Sequence, residues 1–295
     1  MNRVSSFFSG LNKKWLVLSL AVAAALVSFL AVSLPDDRLH VSFLDVGQGD
    51  AILIQKGSQQ VLVDGGPSPQ AVCLGLGEKM PFWDRTIELM VLSHPSADHV
   101  TGLVEVLKRY RVKQVLYPEV DFESGVYDEW LRLVREKGIK ATLAQAGQQI
   151  DLGGGMVMEV LNPQAPPLSA TDSDVDNNAA VLHLNLGEVS FLLTADMMWE
   201  AEFELAYNRD NLRSTVLKVA HHGSDTSTTP EFLAVVSPKL AVISVGADNE
   251  YGHPTEEVLR RLEGVVGEEN IYRTDEDGTV EFITDGERLW LKTER

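Results

Sequence analysis

Cysteine is nearly missing from this 295-residue chain, where Cys73 is the only one. A lone cysteine excludes an intrachain disulfide and any thiolate-rich zinc site, and it says little about redox compartment. Basic residues are scarce as well. Lys and Arg number 25 against 43 Asp and Glu, a net charge of −18. The first 34 residues carry Arg3, Lys13 and Lys14 and no acid, so the remainder is more acidic still. A surface of that sign does not attract polyanions by general electrostatics, because phosphate binding needs a positive face. A bound metal could still supply positive charge locally. No low-complexity tract and no internal repeat are present, and the apolar and charged fractions are those of an ordinary globular protein with a sizeable core.

One long apolar run stands out. Trp15 to Leu34 contains no charged residue, Lys13 and Lys14 precede it, and Asp36 and Asp37 follow. At about 1.5 Å per residue it would span about 30 Å, the thickness of a hydrocarbon core. The expectation is a single-pass anchor over 15–34, with residues 1–14 cytoplasmic and residues 35–295 outside, as the positive-inside rule dictates. The competing reading is secretion after signal cleavage, since Ala31-Val32-Ser33 has the small-x-small form of a cleavage site. Residues 35–39 read as a polar linker, and residues 40–295 as one domain.

Within that domain, short apolar runs bounded by Gly, Asp and Pro alternate with amphipathic stretches. The pattern predicts strands at 40–44, 51–55, 60–63, 87–93, 112–117, 140–143 and 156–161, with helices at 100–110 and 127–137. The second half echoes this order. Strands are expected at 179–185, 189–194, 215–220, 240–245, 279–283 and 288–292, and helices at 198–207, 230–236 and 255–263. Such a succession suits two sheets packed face to face with helices outside.

The chemistry concentrates at His94-Pro95-Ser96-Ala97-Asp98-His99, where a strand gives way to a helix. Imidazole nitrogen and carboxylate oxygen are ligands for zinc or manganese, and two histidines with an Asp at one turn can converge on one point. A helix-dipole role accounts for Asp98 but not for its flanking histidines. Asp196 follows the apolar strand Val189–Thr194, and His221-His222 follow Val216–Ala220. Because neighbouring strand residues face opposite ways, one of the two histidines is expected as a ligand, His222 in preference to His221. Gly47-x-Gly49 is no phosphate loop, lacking the GxGxxG continuation.

These segments, taken in order, resemble a known family. His94-x-x-x-Asp98-His99 is similar to the HxHxDH motif of the metallo-β-lactamase superfamily. Phe43–Asp50, Leu62–Gly66, Asp176-Asn177-Asn178, Leu193–Asp196, Leu217–Ser224 and Ser244–Pro254 resemble the hydrolase domain of ComEC-type competence proteins and their free-standing relatives. The resemblance covers residues 40–285. It implies an α/β fold of αββα sandwich type and hydrolysis by a metal-activated water. It also implies one or two divalent ions, zinc or manganese, held by His94, Asp98, His99, Asp196 and His222. Asp98 and His222 take catalytic roles in that scheme. Asp50, Asp64, Asn178, His221 and His253 would support the ligands from behind or line the cleft.

Two departures weigh on this. The second motif histidine, usually Asp in the ComEC-type branch, is Ser96, and no histidine stands near Asp176–Asn178. One well-formed metal site and one weak or empty site are therefore expected. Ala195 replaces the usual glycine before Asp196. The substrate implied is a phosphodiester, with single-stranded DNA as candidate nucleic-acid partner, the membrane as the second partner, and no protein partner. The rivals are a metal-poor, non-catalytic binding module and a true β-lactamase.

Overall fold

The computed structural model describes residues 13–33, 35–208 and 212–295. The chain divides into two compact units, residues 1–36 and 37–295.

In the first unit, Lys13–Ser33 form helix α1. Its side chains from Trp15 to Ala24 are exposed. No helix among the described residues is long and apolar enough to cross a membrane, so the expected transmembrane anchor is not supported. The side chains described run from Lys13 to Ala24, about 18 Å of helix against about 30 Å of hydrocarbon. Most of the cytoplasmic segment expected at 1–14, and the side chains of the second half of the expected span, lie outside the described residues.

The second unit is built from two mixed sheets. Strands β1 (Leu39–Phe43), β2 (Ile52–Lys56), β3 (Gln59–Val63), β4 (Thr86–Val91), β5 (Arg111–Tyr117) and β6 (Lys140–Leu143) enter the first. Strands β7 (Gln149–Gly153), β8 (Met156–Asn162), β9 (Val181–Leu186), β10 (Val189–Leu193), β11 (Val216–Lys218), β12 (Leu240–Ile243) and β13 (Ile271–Arg273) form the second. The chain then returns to the first sheet as β14 (Val280–Thr284) and β15 (Leu289–Thr293). The orders are β15-β14-β1-β2-β3-β4-β5-β6 and β13-β12-β11-β10-β9-β8-β7. Each sheet is antiparallel on one side and parallel on the other. Pairing turns parallel from β3 to β4 onward and from β10 to β11 onward.

The facing sides of both sheets are apolar, and they meet around Phe43, Phe191 and Phe282, whose rings touch edge to face. Helices α2 (Pro69–Lys79), α3 (Ala97–Arg109) and α4 (Gly125–Glu136) cover the outer face of the first sheet, with Trp130 fully buried beneath α4. After the short α5 (Asp174–Asn177), helices α6 (Trp199–Asn208), α7 (Pro230–Val236) and α8 (Glu256–Val266) cover the second, and α9 (Thr274–Asp277) is a single turn. The four layers are the expected αββα sandwich. Helix α2 was not expected: its run Pro69–Lys79 holds two glycines and little amphipathic pattern. Its start is nonetheless encoded by Ser68, whose hydroxyl accepts from the Ala71 N–H, and by Pro69 in the first turn.

One ion pair ties α2 to the sheet. The Glu281 carboxylate on β14 accepts from His40 Nδ1 at 2.8 Å and from Lys79 Nζ at 2.9 Å. The His40 hydrogen bond, helped by Lys79 and opposed by burial, lowers the Glu281 pKa from 4.5 to about 2. A depressed carboxyl stabilises the fold above its unfolded pKa, and that contribution disappears as pH falls from about 4.5 to about 2. After discount for partial solvent exposure, Glu281→Gln should cost ~1–2 kcal/mol at pH 6 and almost nothing near pH 2. Urea unfolding at the two pH values checks this, and an equal cost at both would show that the ion pair is not its source.

Candidate metal centre

The candidate residues gather where the parallel strands end. Asp64 follows β3, with φ of 58°. Its Oδ1 accepts the Ser93 N–H at 2.7 Å, and its Oδ2 accepts the Ser93 hydroxyl and His99 Nδ1, the latter at 2.9 Å. Ser93 Oγ has spent its one proton on Asp64, so at 3.0 Å it accepts from His94 Nδ1. Two imidazoles are thereby fixed by their Nδ1 atoms and turn Nε2 into the cleft. The start of α3 can approach this turn because both contacts are glycines. A Cβ on Gly102 would lie 1.9 Å from the Gly65 carbonyl oxygen, while Gly65 N donates to His99 O at 2.8 Å.

The second sheet supplies the rest. Ala195 takes φ of 48°, which is why glycine would be easier there, and its carbonyl accepts from Lys218 Nζ at 2.9 Å and from the His221 N–H at 3.0 Å. Strand β11 stops at Lys218, and Ala220–Gly223 is a tight turn with His221 and His222 both left-handed, at φ of 50° and 55°. The alternation expected for adjacent strand residues therefore does not apply. Both rings face Asp196 Oδ2, His222 Nε2 at 3.2 Å and His221 Nε2 at 3.9 Å. His222 Nδ1 donates to the Ser244 carbonyl at 2.8 Å, so its Nε2 also points into the cleft.

Asp98, His99, Asp196 and His222 bring one ligand atom each within 4.8 Å of one another. Beside them, His94 Nε2 lies 3.6 Å from Asp176 Oδ1 and 4.0 Å from Asp196 Oδ2. The Nε2 atoms of His94, His99 and His222 and Oδ1 of Asp196 are buried without a hydrogen-bond partner. Buried imidazole lone pairs left in this way, aimed at a shared carboxylate, fit a divalent cation. Asp176 was not anticipated as a site residue. It supplies a carboxylate 3.6 Å from His94 Nε2, in the segment where a third histidine is missing, but neither it nor His94 joins the convergent four-residue group. Ser96 takes the N-cap position of α3 without a side-chain capping bond, and among the described residues no hydrogen bond joins its hydroxyl to the cluster. Lys218, also unanticipated, is wholly buried and pairs with Asp50, with Asp196 Oδ1 at 3.7 Å.

Charge balance follows this geometry. Burial opposes the charged form of His222, but the Asp196 carboxylate, with Asp98 and Asp50 close by, raises its pKa to about 10. His99 is raised for similar reasons, against its burial, by Asp196, Asp98 and Asp64. His94 is pushed down to about 3 by burial and by His99. Burial, and then repulsion from Asp196, raise Asp176. A cation would bind the same Nε2 atoms that hold protons in its absence, and would relieve the Asp176–Asp196 repulsion.

The other expected residues fall outside the cluster. Asn178 clamps its own loop, donating to Leu168 O and Asp174 O and accepting the Leu168 N–H, which holds the segment bearing Asp176. Asp50 lies behind the cluster, 3.7 Å from His222 Nδ1. His253 stands at the rim, with its ring 5.9 Å from that of His221.

The Metallo-beta-lactamase superfamily pattern matches residues 44–247. The chain belongs to the metallo-beta-lactamase superfamily. Among solved structures it is similar to the metallo-beta-lactamase fold protein YhfI from Bacillus subtilis, with TM-score 0.54 and 12% identity over 86% of this chain and 100% of that one. Among curated proteins it is similar to "ComE operon protein 3" of Bacillus subtilis (strain 168), 30% identical over 82% of this chain and 33% of that protein. "Competence protein ComA" of Neisseria gonorrhoeae is 29% identical over 92% of this chain and 35% of that protein. The chain thus spans about a third of the length of these relatives.

Asp98→Ala and His99→Ala should each remove most bound zinc or manganese, as measured by metal analysis after dialysis. Asp64→Asn, which deletes no ligand but loosens His99, should weaken affinity about 10- to 100-fold. His183→Ala should change neither, because that ring bonds Ser214 away from the cleft. Full occupancy in Asp98→Ala would mean the ligands lie elsewhere. Metal uptake should also release protons, because His99 and His222 must be neutral to ligate. Calorimetry in buffers of different ionisation enthalpy reads this directly, and uptake without proton release would contradict protonated imidazoles at His99 and His222.

Proposed function

We propose that this chain is a metal-dependent phosphodiesterase that cleaves single-stranded nucleic acid, in the setting of DNA uptake that the names of its competence relatives suggest. One observation carries the reading: the buried Nε2 atoms of His94, His99 and His222 and Oδ1 of Asp196 have no hydrogen-bond partner, and two of those histidines converge with Asp98 and Asp196 on one point. The ligand set is rich in carboxylate, with Asp98, Asp176 and Asp196 beside the histidines. Hard oxygen donors with imidazole suit manganese or zinc. Such an ion would supply Lewis acidity for a phosphoryl oxygen and an acidified water. Asp98 has about a third of its side chain exposed, whereas Asp196, the other carboxylate of the four-residue group, is buried. Asp98 is therefore placed to accept a hydrogen bond from an attacking water and to aim it. His222, held through Nδ1 by Ser244, stands beside Asp98 with its Nε2 3.4 Å from the carboxylate.

The test is a hydrolysis panel on the full chain loaded with manganese or zinc. Single-stranded oligonucleotides, cyclic nucleotides and a chromogenic β-lactam are compared. Cleavage of the oligonucleotide is expected, abolished by chelator and reduced at least a hundredfold in Asp98→Ala. Turnover of the β-lactam alone would overturn the reading in favour of a true β-lactamase. Inertness toward the whole panel with metal bound would favour a non-catalytic module.

A further inference from the structure

Binding a polyanion is a problem for this protein. The loops beside the cleft, 172–177, 221–228 and 246–255, and helix α6, which starts beside Thr226 and runs on over the second sheet, contain no lysine or arginine. They do contain exposed aromatic rings. Tyr251 is 71% exposed, and its ring stacks on His253 with centroids 5.8 Å apart and planes 25° apart. His253 in turn meets His221 edge to face at 5.9 Å. The loop is held in this posture by Asn249. Its Nδ2 donates to Gly246 O and His253 O, and its Oδ1 accepts from the N–H groups of Tyr251 and His253.

A second aromatic group begins on the other side of His221. Thr226 Oγ1 lies 3.2 Å from His221 Nδ1, and the Thr226 carbonyl accepts the Trp199 N–H at 3.0 Å. Trp199 opens α6, its indole N–H donating to Asp172 Oδ2 at 3.3 Å. Phe203 and Tyr207 follow at four-residue spacing, 70% and 83% exposed, with rings 6.4 Å apart and nearly parallel. Four helical residues advance about 6 Å, comparable with the rise per nucleotide of a stretched single strand. Tyr251 and His253 are thus linked to His221 by ring contacts and Trp199 by hydrogen bonds through Thr226, while Phe203 and Tyr207 continue from Trp199 along α6.

We propose that Tyr251 with His253, and Trp199 with Phe203 and Tyr207, form a track on which the bases of a single-stranded nucleic acid stack across the cleft. The protein holds its substrate by base faces, with little help from phosphate charge. This rests on the phosphodiesterase reading for its substrate class. Stacking on aromatic rings accepts any base, since every base has a π face. Binding that neutralises few phosphates releases few counterions, so its affinity hardly depends on salt.

The experiment uses the full chain and two fluorescent single strands of equal length, one bearing bases and one abasic. Binding is read by anisotropy in the presence of chelator, and KM and kcat are read with manganese. The base-bearing strand should bind about tenfold or more tightly than the abasic one, with a shallow slope of affinity against salt. Tyr251→Ala and Phe203→Ala should each raise Kd and KM for the base-bearing strand about tenfold, leave the abasic strand unaffected and spare kcat. Tyr251→Phe should restore binding, and Phe82→Ala, remote in the fold, should match wild type. Equal affinity for the two strands would overturn the track, as would a steep salt slope indifferent to the aromatic variants. Base-selective binding without cleavage would uphold the track while the phosphodiesterase reading fell.

Discussion

The carboxylate of Asp196 is buried, and much of the surrounding structure makes that burial tolerable. An isolated charge in such a place would cost several kcal/mol. Asp196 instead meets His99 and His222 within 3.3 Å and Lys218 at 3.7 Å. Lys218 is itself sustained by Asp50, and His99 by Asp64. The chain of alternating charges crosses from one sheet to the other. It explains why residues as distant in sequence as Asp50 and His222 must be placed together, and why the strands that carry them end at the same edge of the sandwich. A cation completes the balance rather than creating it.

Four of the eight non-glycine residues with positive φ among the described residues lie at the same edge. Asp64, Ala195, His221 and His222 all have positive φ without being glycine, a conformation that costs about 1–3 kcal/mol at each residue. At each one, the unusual backbone swings a side chain or a carbonyl toward the cluster. Rigid strands deliver the chain to the edge, and the strained turns then aim it.

Much of this was legible in the sequence. Strands such as Met156–Asn162 and helices such as Pro230–Val236 agree closely with the periodic pattern, because burial on one face dictates the spacing of apolar residues. Helix α2 and strands β7 and β13 were not visible. They are short or glycine-bearing, and their burial comes from neighbours distant in sequence. At the site, the histidines and Asp196 announced themselves as ligand types at strand ends. Asp176 did not, since an acid in a polar loop has the look of a solvated one until the fold seats it beside His94. Lys218 left a signal that passed unused: a lysine within the apolar run Val216–Ala220 must be buried, and a buried ammonium requires an acid. The His221-His222 alternation failed because regular strand geometry ends two residues before the turn that carries the pair.

The pairing of β1 with β14 joins Leu39 to Thr284. During synthesis, β1 can lie against β2 early, but its other edge stays open until residues 280–284 emerge. Non-local closure of this kind slows folding and leaves hydrogen-bonding edges exposed in the meantime. Asp50, Asp64 and His94 to His99 come from the first half of the chain, Asp196 and His222 from the second. A nascent chain that stops short of Asp196 therefore holds half of a charge-balanced cluster, with its acids and imidazoles unmatched, and β1 keeps an open edge until residues 280–284 have been made.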